Sequence, residues 1–191
     1  MAKANSPFVV ALEGIPGSGK TSLRRTLFST FNYSVDRVEQ ILPDDPDSDD
    51  DLTMEDIIQS DFLKTRRAKD DSYDIVILDR YYISTLVYQE SFDQVYSKKT
   101  FNELSLRYKK ALHEGDLIVP DLTIYIDTPL NLSFARKNRK SSDELWVNEK
   151  FLTLNRELYR KYNDFHYIDG TRKLDDIRLY IENEIVRRLN D

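Results

Sequence analysis

The chain contains no cysteine, one tryptophan, two methionines and two histidines among its 191 residues. Disulfides and thiolate metal sites are therefore excluded. His113 and His166 have no partner at a metal-binding or catalytic spacing, so surface or packing roles are expected of both. Long apolar runs are missing too, the longest being strand-sized, so no segment is expected to span a membrane. Residues 1–7 lack the apolar core of a leader, and a cytoplasmic location is expected. There is no basic excess: 28 Lys and Arg stand against 34 Asp and Glu, a formal charge of −6. A general nucleic-acid binder needs a net basic face, so that class is disfavoured. What remains is an ordinary soluble composition, 40% hydrophobic and 32% charged, in a length that suits one domain over residues 1–191.

Glycine is also scarce, yet three of the five glycines fall in Gly14-Ile15-Pro16-Gly17-Ser18-Gly19-Lys20-Thr21. This segment matches the pattern G-x-x-x-x-G-K-[ST] at every fixed position. Residues without a Cβ let successive N–H groups turn inward around a polyphosphate, and the positive end of a following helix adds to the attraction. The flanks agree: Phe8-Val9-Val10-Ala11-Leu12 is a short apolar run suited to a buried parallel strand, and residues 22–31 can continue as a helix. The pattern therefore predicts a site for ATP with Mg²⁺, formed by Gly14, Pro16, Gly17, Ser18, Gly19, Lys20, Thr21 and Ser22. Lys20 would reach the β- and γ-phosphates, and Thr21 would ligate the metal.

Strand and helix patterns alternate along the rest of the chain. A second strand is expected over residues 33–39, followed by an acidic run at 43–52 that reads as a solvated loop because its carboxylates repel one another and bury nothing. A polar helix over residues 53–69 leads into a β-branched strand at 73–79. Phe101, Leu104, Tyr108 and Leu112 recur at helical spacing until Gly115. A fourth strand over 122–126 precedes Thr128, a candidate helix cap, and Pro129 at the first helical position. Val147, Phe151, Leu154, Leu158 and Tyr162 stripe one helix; Ile177, Ile181, Ile185 and Leu189 stripe the last, and a fifth strand at 165–169 lies between them. The expected fold is α/β: a three-layer P-loop NTPase with a five-stranded parallel sheet and a short lid. Ligands in such sheets bind at the carboxyl ends of the strands, where Glu39, Asp79, Asp127 and Asp169 are expected.

A second motif follows the third strand: Asp79-Arg80-Tyr81-Tyr82-Ile83-Ser84-Thr85-Leu86-Val87-Tyr88-Gln89. With the phosphate loop it resembles the thymidylate kinase family, in which D-R-Y, a following serine and a Y-Q pair line the acceptor pocket. Phe62-Leu63-Lys64-Thr65-Arg66 is similar to that family's F-x-x-x-R, which sandwiches and hydrogen-bonds the acceptor base. Pro120-Asp121-Leu122-Thr123-Ile124-Tyr125-Ile126-Asp127 and Ala135-Arg136-Lys137-Asn138-Arg139 are similar to its fourth strand and to the start of its arginine-bearing lid. The resemblance implies phosphoryl transfer from ATP to a small-molecule acceptor, thymidylate or a related pyrimidine nucleotide. It implies an acceptor site of Phe62, Arg66, Arg80, Tyr81, Ser84, Tyr88 and Gln89, and a lid at about 136–147 carrying Arg136 and Arg139. Self-association into a homodimer is left open.

Two departures bear on the acceptor. Pro16 stands where the family has an acidic residue that helps hold the sugar, and the family's R-E-P-G-G turn is replaced by Val38-Glu39-Gln40-Ile41-Leu42-Pro43. A glutamate at that strand end resembles deoxynucleoside kinases, where it is the base on the nucleoside hydroxyl, although those enzymes have E-R-S in place of Asp79-Arg80-Tyr81. Elementary chemistry allows Lys20, Mg²⁺ and arginines to neutralise a transferring phosphoryl group, with Arg80 as a bidentate clamp and Asp79 as a metal ligand or a helix cap. Three other readings stay open: a nucleoside kinase with Glu39 as base, a small-molecule kinase on the same scaffold, and an NTP-binding regulatory module.

Overall fold

The computed structural model describes residues 6–34, 38–41, 54–97, 102–136 and 148–190. Within them lie β1 (Phe8–Glu13), α1 (Lys20–Ser34), β2 (Val38–Ile41), α2 (Met54–Ala68), β3 (Ile75–Asp79) and α3 (Tyr82–Phe92). Then follow α4 (Asn102–Glu114), β4 (Leu122–Asp127), α5 (Leu130–Arg136), α6 (Glu149–Tyr159), β5 (His166–Asp169) and α7 (Leu174–Asn190). The strands form one parallel sheet in the order β2-β3-β1-β4-β5.

Strand periodicity explains why this sheet is covered on both sides. Successive side chains alternate faces, and the apolar runs supply both. Val9, Ala11, Val76, Leu78 and Tyr125 join one core cluster, while Val10, Leu12, Ile75, Ile77, Leu122, Ile124 and Ile126 join the other. The first cluster packs against residues of α2, α3, α4 and α6; the second packs against Leu23, Leu27 and Phe31 of α1 and Ile177, Ile181 and Ile185 of α7. Full burial of each such aliphatic side chain contributes about 1.5–3 kcal/mol. The sheet is thereby a stiff platform, and its carboxyl edge can carry irregular backbone.

The order of strands places the crevice. The chain steps from β1 to the β2–β3 side and later crosses to the β4–β5 side, so the connections after β1 and β3 diverge at β1. Ligands of open parallel sheets bind at such a divergence. Leu12 pairs with Asp79, and Glu13 with Tyr125, so the ends of β1, β3 and β4 meet at one edge.

Two sequence expectations are corrected here. Residues 33 and 34 belong to α1 rather than to the second strand, which is Val38–Ile41. The helix persists because Leu23, Leu27 and Phe31, spaced four apart, keep one face in the core. Glu39 consequently does not end its strand: it is the second residue of β2, opposite Val76, three residues short of the level of Asp79. The acidic run at 43–52 lies outside the described residues, as do residues 137–147, Arg139 among them. No helix among the described residues is long and apolar enough to cross a membrane.

Candidate active site

The connection from β1 to α1 is the phosphate loop. Gly14, Gly17 and Gly19 take φ of 147°, 76° and 98°, the region that favours glycine. At Gly17 a Cβ would run into the carbonyl oxygen of Ser133, while at Gly19 it would meet nothing within 4 Å. The loop is braced from the β4–α5 side: Ser133 donates its hydroxyl to Pro16 O, and Thr128 Oγ1 donates to Ser18 O at 3.5 Å. Thr128 thus supports the loop. α1 begins at Lys20, with Leu23 N donating to Gly19 O at 2.9 Å. No acidic residue of α1 itself lies in its first turn, and the positive end of the helix is directed at the loop.

Lys20 is buried and donates to Gly14 O at 2.8 Å, Ile15 O at 2.9 Å and Ser18 Oγ at 3.1 Å. Burial drives its ammonium well below the usual lysine range and Arg80 adds to the effect, while Asp79 and Glu13 oppose it. A cation held this way at the helix start is poised for anionic oxygen. Thr21 Oγ1 donates to Asp79 Oδ2 at 3.3 Å, which brings the two expected metal-binding oxygens together. Such hard oxygen donors suit Mg²⁺. Arg24, three residues further along α1, places Nε 3.5 Å from the same Asp79 oxygen and is itself buried. Its spacing from Thr21 on one helix face was the available signal. Ser22 lies exposed in the first turn.

Arg80 follows β3 directly and is the one described non-glycine residue with positive φ, at 65°. Its N–H donates to Leu12 O at 3.1 Å, and its Nη1 donates to Tyr88 OH at 2.7 Å, with the guanidinium carbon 5.1 Å from the Tyr88 ring centre. Burial works against its charge, but Tyr88, Tyr159 and Asp79 outweigh it and hold the guanidinium above the usual range. The register of β1 with β3 therefore sets Arg80 beside the phosphate loop.

Behind Arg80 sits Glu13, which the sequence reading passed over. It is wholly buried at the end of β1. Its Oε1 accepts Tyr81 N–H at 3.1 Å; its Oε2 accepts Ser84 Oγ and, at 3.3 Å, Tyr159 OH. Burial pushes its carboxyl up to about 7, against the pull of Ser84, Arg80, Lys20 and the Tyr81 N–H. A charged residue closing an apolar strand run was the signal that pointed to it.

The remaining predicted residues divide. Tyr88 contacts Arg80, and Gln89 Nε2 donates to Asp93 Oδ1 at 3.0 Å. Tyr81 and Ser84 are buried: the Tyr81 hydroxyl bonds Thr65 Oγ1, and Ser84 bonds Glu13 and Tyr159. Both side chains serve the interior, because the start of α3 packs against Glu13 of β1, Thr65 of α2 and Tyr159 of α6. Phe62 is half-buried against the core, and Arg66 is exposed; α2 instead turns Asp61, Lys64 and Thr65 inward. Asp61 accepts from Thr85 Oγ1 and Tyr108 OH, each at 2.7 Å. Glu39 is engaged by Arg67 at 2.6 Å, away from the loop. Arg136 ends α5 and is exposed. Asp127 holds Arg156 Nε at 2.6 Å and Arg160 Nη2 at 2.5 Å, which makes it a structural anchor for α6.

The thymidylate kinase family profile matches residues 61–181. A probable thymidylate kinase of Metallosphaera sedula is 29% identical over 188 residues, covering 88% of this chain and 87% of that one. The thymidylate kinase of Leuconostoc mesenteroides is 24% identical, covering 94% and 97%. Among solved structures, thymidylate kinase from Candida albicans superposes with a TM-score of 0.68 at 16% identity, covering 97% of this chain and 93% of that one. Deoxyadenosine kinase from M. mycoides with bound dATP gives 0.68 at 15%, covering 92% and 98%. At those identities the two structures speak to the fold.

Proposed function

We propose that this chain, which belongs to the thymidylate kinase family, transfers the terminal phosphoryl group of ATP to a nucleoside monophosphate, thymidylate or a related pyrimidine nucleotide. The observation that carries the reading is the register of β1 with β3, which brings Asp79 and Arg80 next to the start of α1, with Thr21 bonded to Asp79 and the Arg80 N–H bonded to Leu12 O. Phosphoryl transfer asks for alignment and charge neutralisation more than for covalent chemistry. Loop N–H groups and the start of α1 hold the donor phosphates, and Lys20 exchanges its loop carbonyls for phosphate oxygen. Thr21 and Asp79 would hold Mg²⁺, which would neutralise charge on the donor phosphates.

Arg80 grips the acceptor phosphate bidentately, a task for which its planar fork is suited. Phe62 and Arg66 take the base, and Tyr88 and Gln89 flank the acceptor, as the resemblance implies; Arg136 or Arg139 completes the site. A monophosphate acceptor already carries an ionised oxygen and needs no general base. The bond from Glu39 to Arg67, and its place three residues below Asp79, support that choice over a nucleoside acceptor.

Steady-state ADP release with MgATP tests the reading against a panel of nucleoside monophosphates and nucleosides. Thymidylate is expected to be turned over, and Glu39→Gln to lower kcat less than about tenfold. Turnover of nucleosides alone, with a Glu39→Gln loss of about 10²-fold or more, would replace it with the nucleoside kinase reading.

A further inference from the structure

Arg80 is placed by its backbone as much as by its side chain. At φ of 65° it stands in a region unfavourable to any residue but glycine, so neighbouring contacts must hold it there. Two contacts from β1 flank it: Leu12 O accepts the Arg80 N–H, and Glu13 Oε1 accepts the next N–H, that of Tyr81. Tyr81 is the N-cap of α3 with φ −150° and ψ −166°, and its own side chain makes no capping bond. Its hydroxyl is already bonded to Thr65.

In a helix with a capping box, a glutamate at the third helical position reaches back to the N–H of the cap residue. That position in α3 is Ser84, which cannot reach; its hydroxyl instead bonds Glu13, whose other oxygen takes the Tyr81 N–H. Glu13 thus performs from β1 the task that α3 does not perform for itself. Tyr159 of α6 closes the arrangement, 2.8 Å from Ser84 Oγ and 3.3 Å from Glu13 Oε2. One peptide bond beyond Glu13 is Gly14, whose carbonyl holds Lys20.

We infer that Glu13 is the positioning residue for Arg80: by capping α3 from the strand that launches the phosphate loop, it fixes the distance between the acceptor-binding arginine and the donor-binding lysine. The inference rests on the role proposed above for Arg80. Glu13 itself touches no substrate, being wholly buried. Only one oxygen on the Tyr81 side and a hydrogen-bonding group on the Ser84 side are required, so an amide can substitute for the acid. This is consistent with a carboxyl that burial pushes up to about 7, since the protonated acid presents the same pattern.

The test compares Glu13→Ala, Glu13→Gln and Glu13→Asp, each also combined with Arg80→Ala, by steady-state kinetics with thymidylate and MgATP. Expected for Glu13→Ala is a loss of about tenfold or more in kcat/KM for thymidylate, with KM for ATP changed less than about threefold and near-complete rescue in Glu13→Gln. In the Arg80→Ala background the same change should cost less than about threefold, because its target is already gone. Additive losses, or equal losses for donor and acceptor, would overturn the inference and leave Arg80 in its role. An Arg80→Ala protein with unchanged acceptor kinetics would instead overturn the reading of Arg80. Should Glu13→Ala fail to fold, Glu13→Asp decides: it withdraws the carboxylate by one methylene, and wild-type acceptor kinetics there would refute the inference.

Discussion

Glu13→Gln is expected to change how stability depends on pH, and the size of the change follows from the burial of the carboxyl. Its ordinary value is 4.5, and the folded chain raises it to about 7 because the charged form is deprived of water at full burial. Between those values the folded chain holds a proton that the unfolded chain has released. Stability from this group is therefore fully present below 4.5 and is lost as pH rises through about 7. At about 1.4 kcal/mol for each tenfold change in proton activity, the gap corresponds to about 3 kcal/mol. Glutamine cannot ionise, so the variant lacks this loss. Arg80, Lys20 and Tyr159, which face Glu13 from the α3 turn, the loop and α6, are common to both chains. Urea unfolding of both proteins at pH 5, 6, 7 and 8 at constant ionic strength reads the difference. The variant should gain on the wild type by about 2–3 kcal/mol from pH 5 to pH 8. Parallel stability profiles would refute the argument that burial governs this carboxyl.

Three further outcomes are expected. Lys20→Ala should lower kcat by about 10²-fold or more while shifting thermal unfolding by only a few degrees, because its bonds go to the loop alone; a fully active variant would refute the donor role. Gly17→Ala should weaken ATP binding about tenfold or more, as measured by titration calorimetry, since φ of 76° and the Ser133 carbonyl leave no place for a Cβ; wild-type affinity would contradict the loop geometry. Asp61→Ala should destabilise the fold by about 3 kcal/mol in urea, because it strands the buried hydroxyls of Thr85 and Tyr108; a change below about 0.5 kcal/mol would contradict that account.

Local chemistry was enough to read the phosphate loop, the parallel α/β architecture and the position of Arg80 after a strand. Gly14, Gly17 and Gly19 supply positive φ where a loop must turn, and runs such as residues 75–78 are apolar on both faces because both faces are covered. These features depend on neighbours in the chain. The extent of β2 was not legible, because the helix before it is held by Leu23, Leu27 and Phe31 docking on a distant strand face rather than by propensity. Nor could the sequence separate Glu39 from Glu13. Both are glutamates in apolar strand segments, but pairing places one opposite Val76 with Arg67 on its carboxylate and sets the other beneath α3, bonded to Tyr81, Ser84 and Tyr159. The same holds for Tyr81 and Ser84, motif residues whose side chains are buried. Sequence by itself thus determined which chemical groups exist and how the backbone bends at glycine. Only the tertiary structure decided which carboxylate is desolvated and which arginine faces the loop, because burial and partner distance arise from strand register and helix docking between residues far apart in the chain.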